Sequence, residues 1–432
     1  MKRTMWSRPL ALALALALTA AACGGGDDDD DAGGDDGGGE TAGAPEAVPG
    51  FDGTTIRLGV ITPTSGPVAL IGNPLTAGNK AYFDYINAEK GGIAGKYKIE
   101  LDIRDSAYDP TKAVTEYQSL KENTVMLAQL LGTPSVNAVL EQLEDDGVVA
   151  APASLDSFWV REPNLLPVGG PYQIQAINAL NWYVTEGDGE GKKVCSLIQD
   201  DPYGEAGQAG LEFAAEELDI ELGTTARFPS TATADAFTAP ISQLQGDECE
   251  MVFLISTPAA TGAALGVAAQ AQFAPQWIGQ SPTWIGALGA SPLAPYLQAN
   301  FLVVSEGSEY GDTSVPGMAE LIRIQETYGG GQAPDVYFNF GYIQALAVTS
   351  LLEKAVELGD LSHDGILAAL EELGTVSFGG LSGDYEYGPV DDRVPPITST
   401  IFRVDPSKPT GLGLVEKDVQ APFAEDFEFA AD

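Results

Sequence analysis

Short β-rich runs alternate with longer amphipathic stretches along most of this chain, and that rhythm limits the possible folds more than any other feature. Residues 55–61, 97–104, 125–130 and 148–150 read as strands. Residues 73–89, 109–123 and 134–146 lie between them and read as helices. Asp109-Pro110 opens its helix in the favoured order, cap then proline, and Gly91-Gly92 closes the first helix. The rhythm restarts with a strand at 193–198. It continues through helices at 204–218 and 236–245, a strand at 251–255, a helix at 258–271, strands at 276–278 and 301–304, and helices at 315–328 and 336–358. Repeated βα units specify parallel sheets covered by helices on both faces. Two separate runs predict two such halves. In open sheets of this kind ligands bind beyond the carboxyl ends of the strands, so two facing halves would share a cleft.

The start of the chain does not follow the rhythm. Lys2, Arg3 and Arg8 accompany an apolar run at 9–22. That run is shorter than the roughly twenty residues a membrane span needs, and with its basic start it reads as a secretory signal. It ends Ala20-Ala21-Ala22-Cys23-Gly24, small residues before a cysteine that resemble a lipobox, with Ala20 where leucine is more usual. Residues 1–22 are expected to be a lipoprotein signal peptide and Cys23 the lipidated anchor. The alternative is an ordinary cleaved signal with a chance cysteine. Residues 23–53 are rich in Gly and Asp, including the Asp run 27–31, and are expected to form a disordered tether. The Asp run lacks the alternating ligand spacing of a calcium loop.

Charge narrows the function. Asp and Glu number 62 against 21 Lys and Arg, for a net charge of −41. No basic cluster breaks the acidity of the body, which excludes nucleic acid and charge-driven adhesion to anionic lipid. His363 is the only histidine. Its uniqueness removes His-rich metal sites and argues against Ser-His or Cys-His catalysis. In Leu361-Ser-His-Asp-Gly365 it reads as a solvated residue near a helix start. No nucleophile elbow, zinc-protease motif or P-loop is present. No enzyme, metal or cofactor is expected.

Ile56-Arg-Leu-Gly-Val-Ile-Thr-Pro-Thr-Ser-Gly-Pro-Val-Ala-Leu-Ile-Gly72 is similar to the opening of type I periplasmic binding proteins of the branched-chain amino acid (Leu/Ile/Val) class. The likeness continues through Ala77-Gly-Asn-Lys-Ala81, Gly91-Gly92-Ile93-Ala94-Gly95, Asp105 with Asp109-Pro110, Leu131-Gly-Thr-Pro-Ser135, Glu144-Asp-Asp-Gly147 and Asp200-Asp-Pro-Tyr-Gly204. The resemblance implies an α/β, type I periplasmic-binding-protein fold: two doubly wound parallel-sheet lobes joined by three crossings near 170–173, 304–310 and 380–385. Lobe 1 would be 54–171 plus 306–381, and lobe 2 would be 172–305 plus 382–420, followed by a tail at 421–432. The implied role is an extracytoplasmic monomeric receptor that delivers a small ligand to ABC permease subunits and is held to the membrane through Cys23. The ligand would be a branched-chain or other amino acid. A sensor on the same fold is the alternative; it would be expected to continue into a membrane span or kinase region, where this sequence has the acidic tail.

The resemblance also places site residues. The hydroxyl that receives the ligand carboxylate falls on Thr133, with Ser135 beside it as a substitute. Thr133 equally suits an N-cap, and the two uses share one helix end. A backbone contact after the fourth strand falls on Ala153, and the family's threonine there falls on Leu155, with Ser154 before it. Tyr203 matches an aromatic lining the cleft, or else packs locally at its helix start. The aromatic of the early loop is Ile71 here, and the tyrosine after the 251–255 strand is Thr257 or Pro258. The glutamate that binds the ligand ammonium falls on Ser281. A desolvated ammonium needs a carboxylate, which Ser281 does not provide; Asp156 and Asp201 are the nearby substitutes. An amide, or an aromatic or aliphatic acid lacking an ammonium, is therefore an alternative ligand. Trp159, Trp277 and Trp284 either wall the cleft or fill the core. With Cys23 committed to lipid, Cys195 and Cys249 remain as a pair, either a disulfide, which secretion permits, or two buried thiols.

Overall fold

From Leu58 to Thr62 every residue of strand β1 (Thr55–Thr62) is buried, as in a parallel strand covered on both faces. The computed structural model describes residues 43–429; the signal segment 1–22, Cys23 and the first part of the tether lie outside them. After β1 come α1 (Ala69–Tyr85), β2 (Lys98–Asp105), α2 (Pro110–Leu120), β3 (Leu127–Leu131), α3 (Thr133–Asp146) and β4 (Ala150–Ala153). These strands form a parallel sheet of order β2-β1-β3-β4.

A second run follows: α4 (Tyr172–Thr185), β5 (Val194–Gln199), α5 (Pro202–Glu217), β6 (Thr225–Phe228), α6 (Thr238–Gly246), β7 (Met251–Ile255), α7 (Pro258–Gln270), β8 (Gln276–Gly279), the short α8 (Gly286–Gly289) and α9 (Ala294–Asn300), and β9 (Phe301–Ser305). The chain then returns to the first sheet with α10 (Met318–Tyr328), α11 (Val336–Leu358) and α12 (His363–Glu371). Helix α11 packs along α1 and against β3 and β4. A small β10 (Thr375–Val376) and β11 (Tyr385–Glu386) pair follows, and the chain crosses again to β12 (Ser399–Val404) and β13 (Leu412–Val419). The second sheet has the order β13-β12-β9-β8-β7-β5-β6. It is parallel from β9 to β6, and β12 and β13 add an antiparallel edge. The molecule is thus α/β, with two doubly wound sheets and three passages between them.

Several local expectations shift. Helix α4 was not anticipated, because every residue from Tyr172 to Tyr183 is buried and a helix buried all round carries no apolar stripe. The fourth strand falls at 150–153 rather than 148–150. The tether drawn to residue 53 runs into packed chain: Pro45 and Phe51 are buried, and the Phe51 ring meets Tyr97 edge-on at 5.0 Å. Residues 421–429 are also packed, with Ala421 N–H donating to Asn178 Oδ1 at 2.8 Å and the Phe427 ring 5.2 Å from that of Phe213. His363 is half-buried rather than solvated, and its Nε2 lies 2.9 Å from the Thr124 carbonyl oxygen. The three tryptophans Trp159, Trp277 and Trp284 are fully buried in the cores. Among the described residues, no helix is long and apolar enough to cross a membrane.

Cys195 and Cys249 form a disulfide, with Cα atoms 5.9 Å apart and a sequence separation of 54. The bond ties the start of β5 to the chain entering its neighbour β7. Replacing both cysteines by serine should lower the free energy of unfolding by about 2–4 kcal/mol, measured by urea denaturation without reductant. A change below about 0.5 kcal/mol would show that the bridge does not constrain the unfolded chain.

Candidate functional site

The carboxyl ends of the parallel strands in both sheets open onto one cavity. The turn after β1 and the start of α1 contribute Val68, Ile71 and Leu75. The ends of β3 and β4 contribute Gly132, Ala153, Ser154 and Leu155. From the second sheet come Tyr203 after β5, Thr257 after β7, Ser281 after β8 and the passage 305–310 after β9. The first turns of α10 and α11 add Met318, Tyr337 and Phe340. The space open to the centre of a water-sized sphere is about 110 Å³.

The sequence-derived residues separate into two groups. Ile71, Ala153, Ser154, Leu155, Tyr203, Thr257 and Ser281 share this cavity. Thr133 and Ser135 are buried behind its wall and do not line it. Gly132, not Thr133, caps α3, and no side chain caps that helix. The Thr133 hydroxyl instead hydrogen-bonds Ser154 Oγ at 2.6 Å, and Ser154 Oγ lies 3.3 Å from the Tyr172 hydroxyl. Thr133 therefore braces a hydroxyl that does face the cavity. Ser135 Oγ is buried without a hydrogen-bond partner. Gly132 has φ of +103°, and a Cβ there would come within 2.6 Å of the Tyr108 ring. The turn into α3 requires glycine for both reasons.

The lining is mainly apolar and aromatic. Tyr172 and Tyr203 meet edge-on, ring centroids 5.0 Å apart. Tyr203 donates its hydroxyl to the Ser256 carbonyl at 3.3 Å, and Tyr337 donates to the Pro282 carbonyl at 2.8 Å. With these hydroxyls satisfied by the protein, ring surface is left for the cavity. Burial raises the phenols of Tyr172, Tyr203 and Tyr337 above their ordinary range, so these rings stay neutral.

Among the described residues, no Lys, Arg or His lines the cavity, and two carboxyl groups do: Glu306 and Glu309. Glu309 is committed elsewhere, paired with Lys408 and accepting from Leu414 N–H at 2.8 Å. Glu306 has only uncharged partners, and burial lifts its carboxyl above the usual glutamate range. Asp156 and Asp201 are not in the lining. Asp156 accepts from Gln173 Nε2 at 2.9 Å, and Asp201 caps α5 by accepting from Tyr203 N–H at 3.1 Å.

Sequence reasoning missed Glu306, Tyr172 and Tyr337. The first two lie in segments read only as passages between halves, and the rule that such passages back a shared cleft would have flagged them. Tyr337 carried no signal, since an aromatic at the start of a long apolar helix reads as core.

The family model described as Periplasmic binding protein matches residues 55–408. A curated relative, the Leu/Ile/Val-binding protein homolog 6 of Brucella suis biovar 1 (strain 1330), is 30% identical over 217 residues. That match covers 48% of this chain and 53% of the relative, so the chain spans about half the relative's length. Among solved structures, a fatty acid ABC transporter substrate-binding protein from Thermomonospora curvata superposes with a TM-score of 0.82 at 24% identity, covering 89% of this chain and 97% of that one. A branched-chain amino acid ABC transporter protein from Thermus thermophilus with bound valine superposes with a TM-score of 0.72 at 15% identity, covering 86% and 98%. At these identities the structures establish the fold. The family is one of binding proteins, not enzymes. With the family match running through both sheets and the cavity between them, this chain belongs to the periplasmic binding protein family.

Proposed function

We propose that the chain is the extracytoplasmic solute receptor of an ABC importer, anchored through a lipidated Cys23, and that its ligand is an apolar acid, aliphatic or aromatic, rather than an α-amino acid. The observation that carries the ligand class is the cavity itself. Ile71, Leu75, Leu155, Met318, Phe340 and Ile343 supply an apolar lining, which suits a hydrocarbon body. Ser281 stands where the resemblance places an ammonium-binding glutamate. The structural neighbour from Thermomonospora curvata is named for a fatty acid, and that ligand class agrees with this lining.

The polar head would lie near the start of α3. The dipole of that helix end favours an anion, and Ser154, braced by Thr133, adds a hydroxyl. Ala153, Leu155, Tyr203, Thr257 and Ser281 would enclose the rest, with Ser135 set back from contact. The lobes, 54–171 plus 306–381 and 172–305 plus 382–420, would close about the three passages. Closure would then present the loaded receptor to permease subunits.

Calorimetry with octanoate, 3-phenylpropanoate, leucine and valine tests the reading. We expect saturable 1:1 binding of octanoate, at least about tenfold tighter than leucine, a difference of about 1.4 kcal/mol. Tighter binding of leucine or valine than of either apolar acid would overturn the ligand class.

A further inference from the structure

We infer that Glu306 reads the polar head of the ligand, acting as a neutral carboxylic acid that donates its proton in a hydrogen bond to the ligand carboxylate; this rests on the apolar-acid reading above. Glu306 follows β9 in the second passage and lines the cavity. Its Oε2 accepts from Gln175 Nε2 at 3.0 Å and lies 3.3 Å from the Ser305 hydroxyl. Gln175 is held in turn, donating to the Gly170 carbonyl at 3.1 Å and accepting from Ser281 N–H at 3.2 Å. The carboxyl is thus oriented by fixed, uncharged groups. Ser281, which lacks the expected carboxylate, instead supports, through Gln175, one that enters from a different strand.

The charged and titratable groups around Glu306 leave it without a counter-ion. Tyr172 on α4 and Tyr337 on α11 share the cavity lining with it. Asp156 acts on the same Tyr172 and is also acidic. Glu309, three residues on, is paired with Lys408, so that ammonium is already engaged. Among the described residues, no Lys, Arg or His lines the cavity. A carboxyl taken out of water with no cation beside it retains its proton to higher pH, in agreement with the upward shift at Glu306. A neutral acid facing a carboxylate forms a short charge-assisted O–H···O⁻ bond. Two ionised carboxylates in the same cavity would repel strongly.

The sign of the pH dependence follows. The donor is present below the raised pKa of Glu306 and is lost as pH rises through it, so affinity for a carboxylate falls with rising pH. Octanoate's own carboxyl titrates in the ordinary range, about 4–5, so from roughly pH 6 upward it stays ionised, and a window opening there reports on the raised Glu306 carboxyl. Calorimetry with octanoate across that window should show affinity falling at least tenfold. At the high-pH end, titrations in buffers of different ionisation enthalpy should reveal proton uptake on binding. Glu306→Gln retains a donor and cannot ionise, so this variant should bind octanoate with no pH dependence and no proton uptake, with a thermal melt confirming its fold. A flat profile without proton uptake in the unmodified protein overturns the role of Glu306 while leaving the apolar-acid reading in place. Binding of octylamine in preference to octanoate, lost in Glu306→Gln, would make Glu306 a counter-ion for a cation and overturn the inference. No octanoate binding at any pH would remove the apolar-acid reading itself, and the inference with it.

Discussion

Replacing Gly341 by valine should destabilise the protein by about 3 kcal/mol, read as a lower urea midpoint at unchanged slope. Helices α1 and α11 approach so closely that a Cβ at Gly341 would lie 1.9 Å from the Leu75 carbonyl oxygen, and one at Gly78 would lie 2.0 Å from that of Phe338. The obstacle is backbone in both cases, so no side chain can move aside to make room. The contact also aligns a buried amide pair: Asn79 Nδ2 donates to Gln344 Oε1 at 3.2 Å, and Gln344 Nε2 donates to the Ala151 and Pro152 carbonyls at 3.2 and 3.1 Å. Forcing the helices apart would break this connection between α1, α11 and β4. A control reverses the sign. Gly266 in α7 has nothing within 4 Å of its missing Cβ, so Gly266→Ala should stabilise by about 0.5–1 kcal/mol. Equal effects at the two glycines would show that helix propensity, and not the close approach, governs Gly341.

Substituting Ser281 by tryptophan should abolish ligand capture. Ser281 is only half-buried, lines the cavity and follows the end of β8, so an indole there would enter the ligand space instead of the core. We expect octanoate affinity to fall at least about 100-fold, some 2.7 kcal/mol, with the melting temperature changed by no more than about 2–4 °C. Ser135→Ala is the contrasting variant. Its hydroxyl is buried, unpartnered and behind the wall, so affinity should not change. Loss of binding in Ser135→Ala with retention in Ser281→Trp would place the ligand somewhere other than this cavity.

How much was legible depended on the range of the signal. Strands β1, β3, β5 and β7 and helices α3, α7 and α11 were readable because apolar periodicity, caps and Gly-Pro punctuation are local. The segments at the carboxyl ends of the strands in both halves were readable as candidate site for the same reason, and seven residues taken from them share the cavity. Helix α4 was not readable, since Tyr172 to Tyr183 are buried on every side. Thr133 was placed at the correct helix end, but its hydroxyl turns to Ser154 instead of the cavity, and that orientation depends on β3 and β4 lying side by side. Arg393 shows the same limit. Its charge predicts exposure, yet it is buried, donating to the carbonyls of Glu162, Pro163, Leu165 and Gly388 at 2.8–3.2 Å.

The sequence by itself determined the repeated βα units, hence two parallel sheets with their carboxyl edges available to a ligand, because each unit is specified within about thirty residues. Only the tertiary structure decided which polar groups meet there. Ser281, Gln175 and Glu306 are far apart along the chain and come together where its passages between the sheets converge. No local period encodes that meeting. It follows from the close packing of whole helices and sheets, which also surrounds the Glu306 carboxyl with uncharged partners.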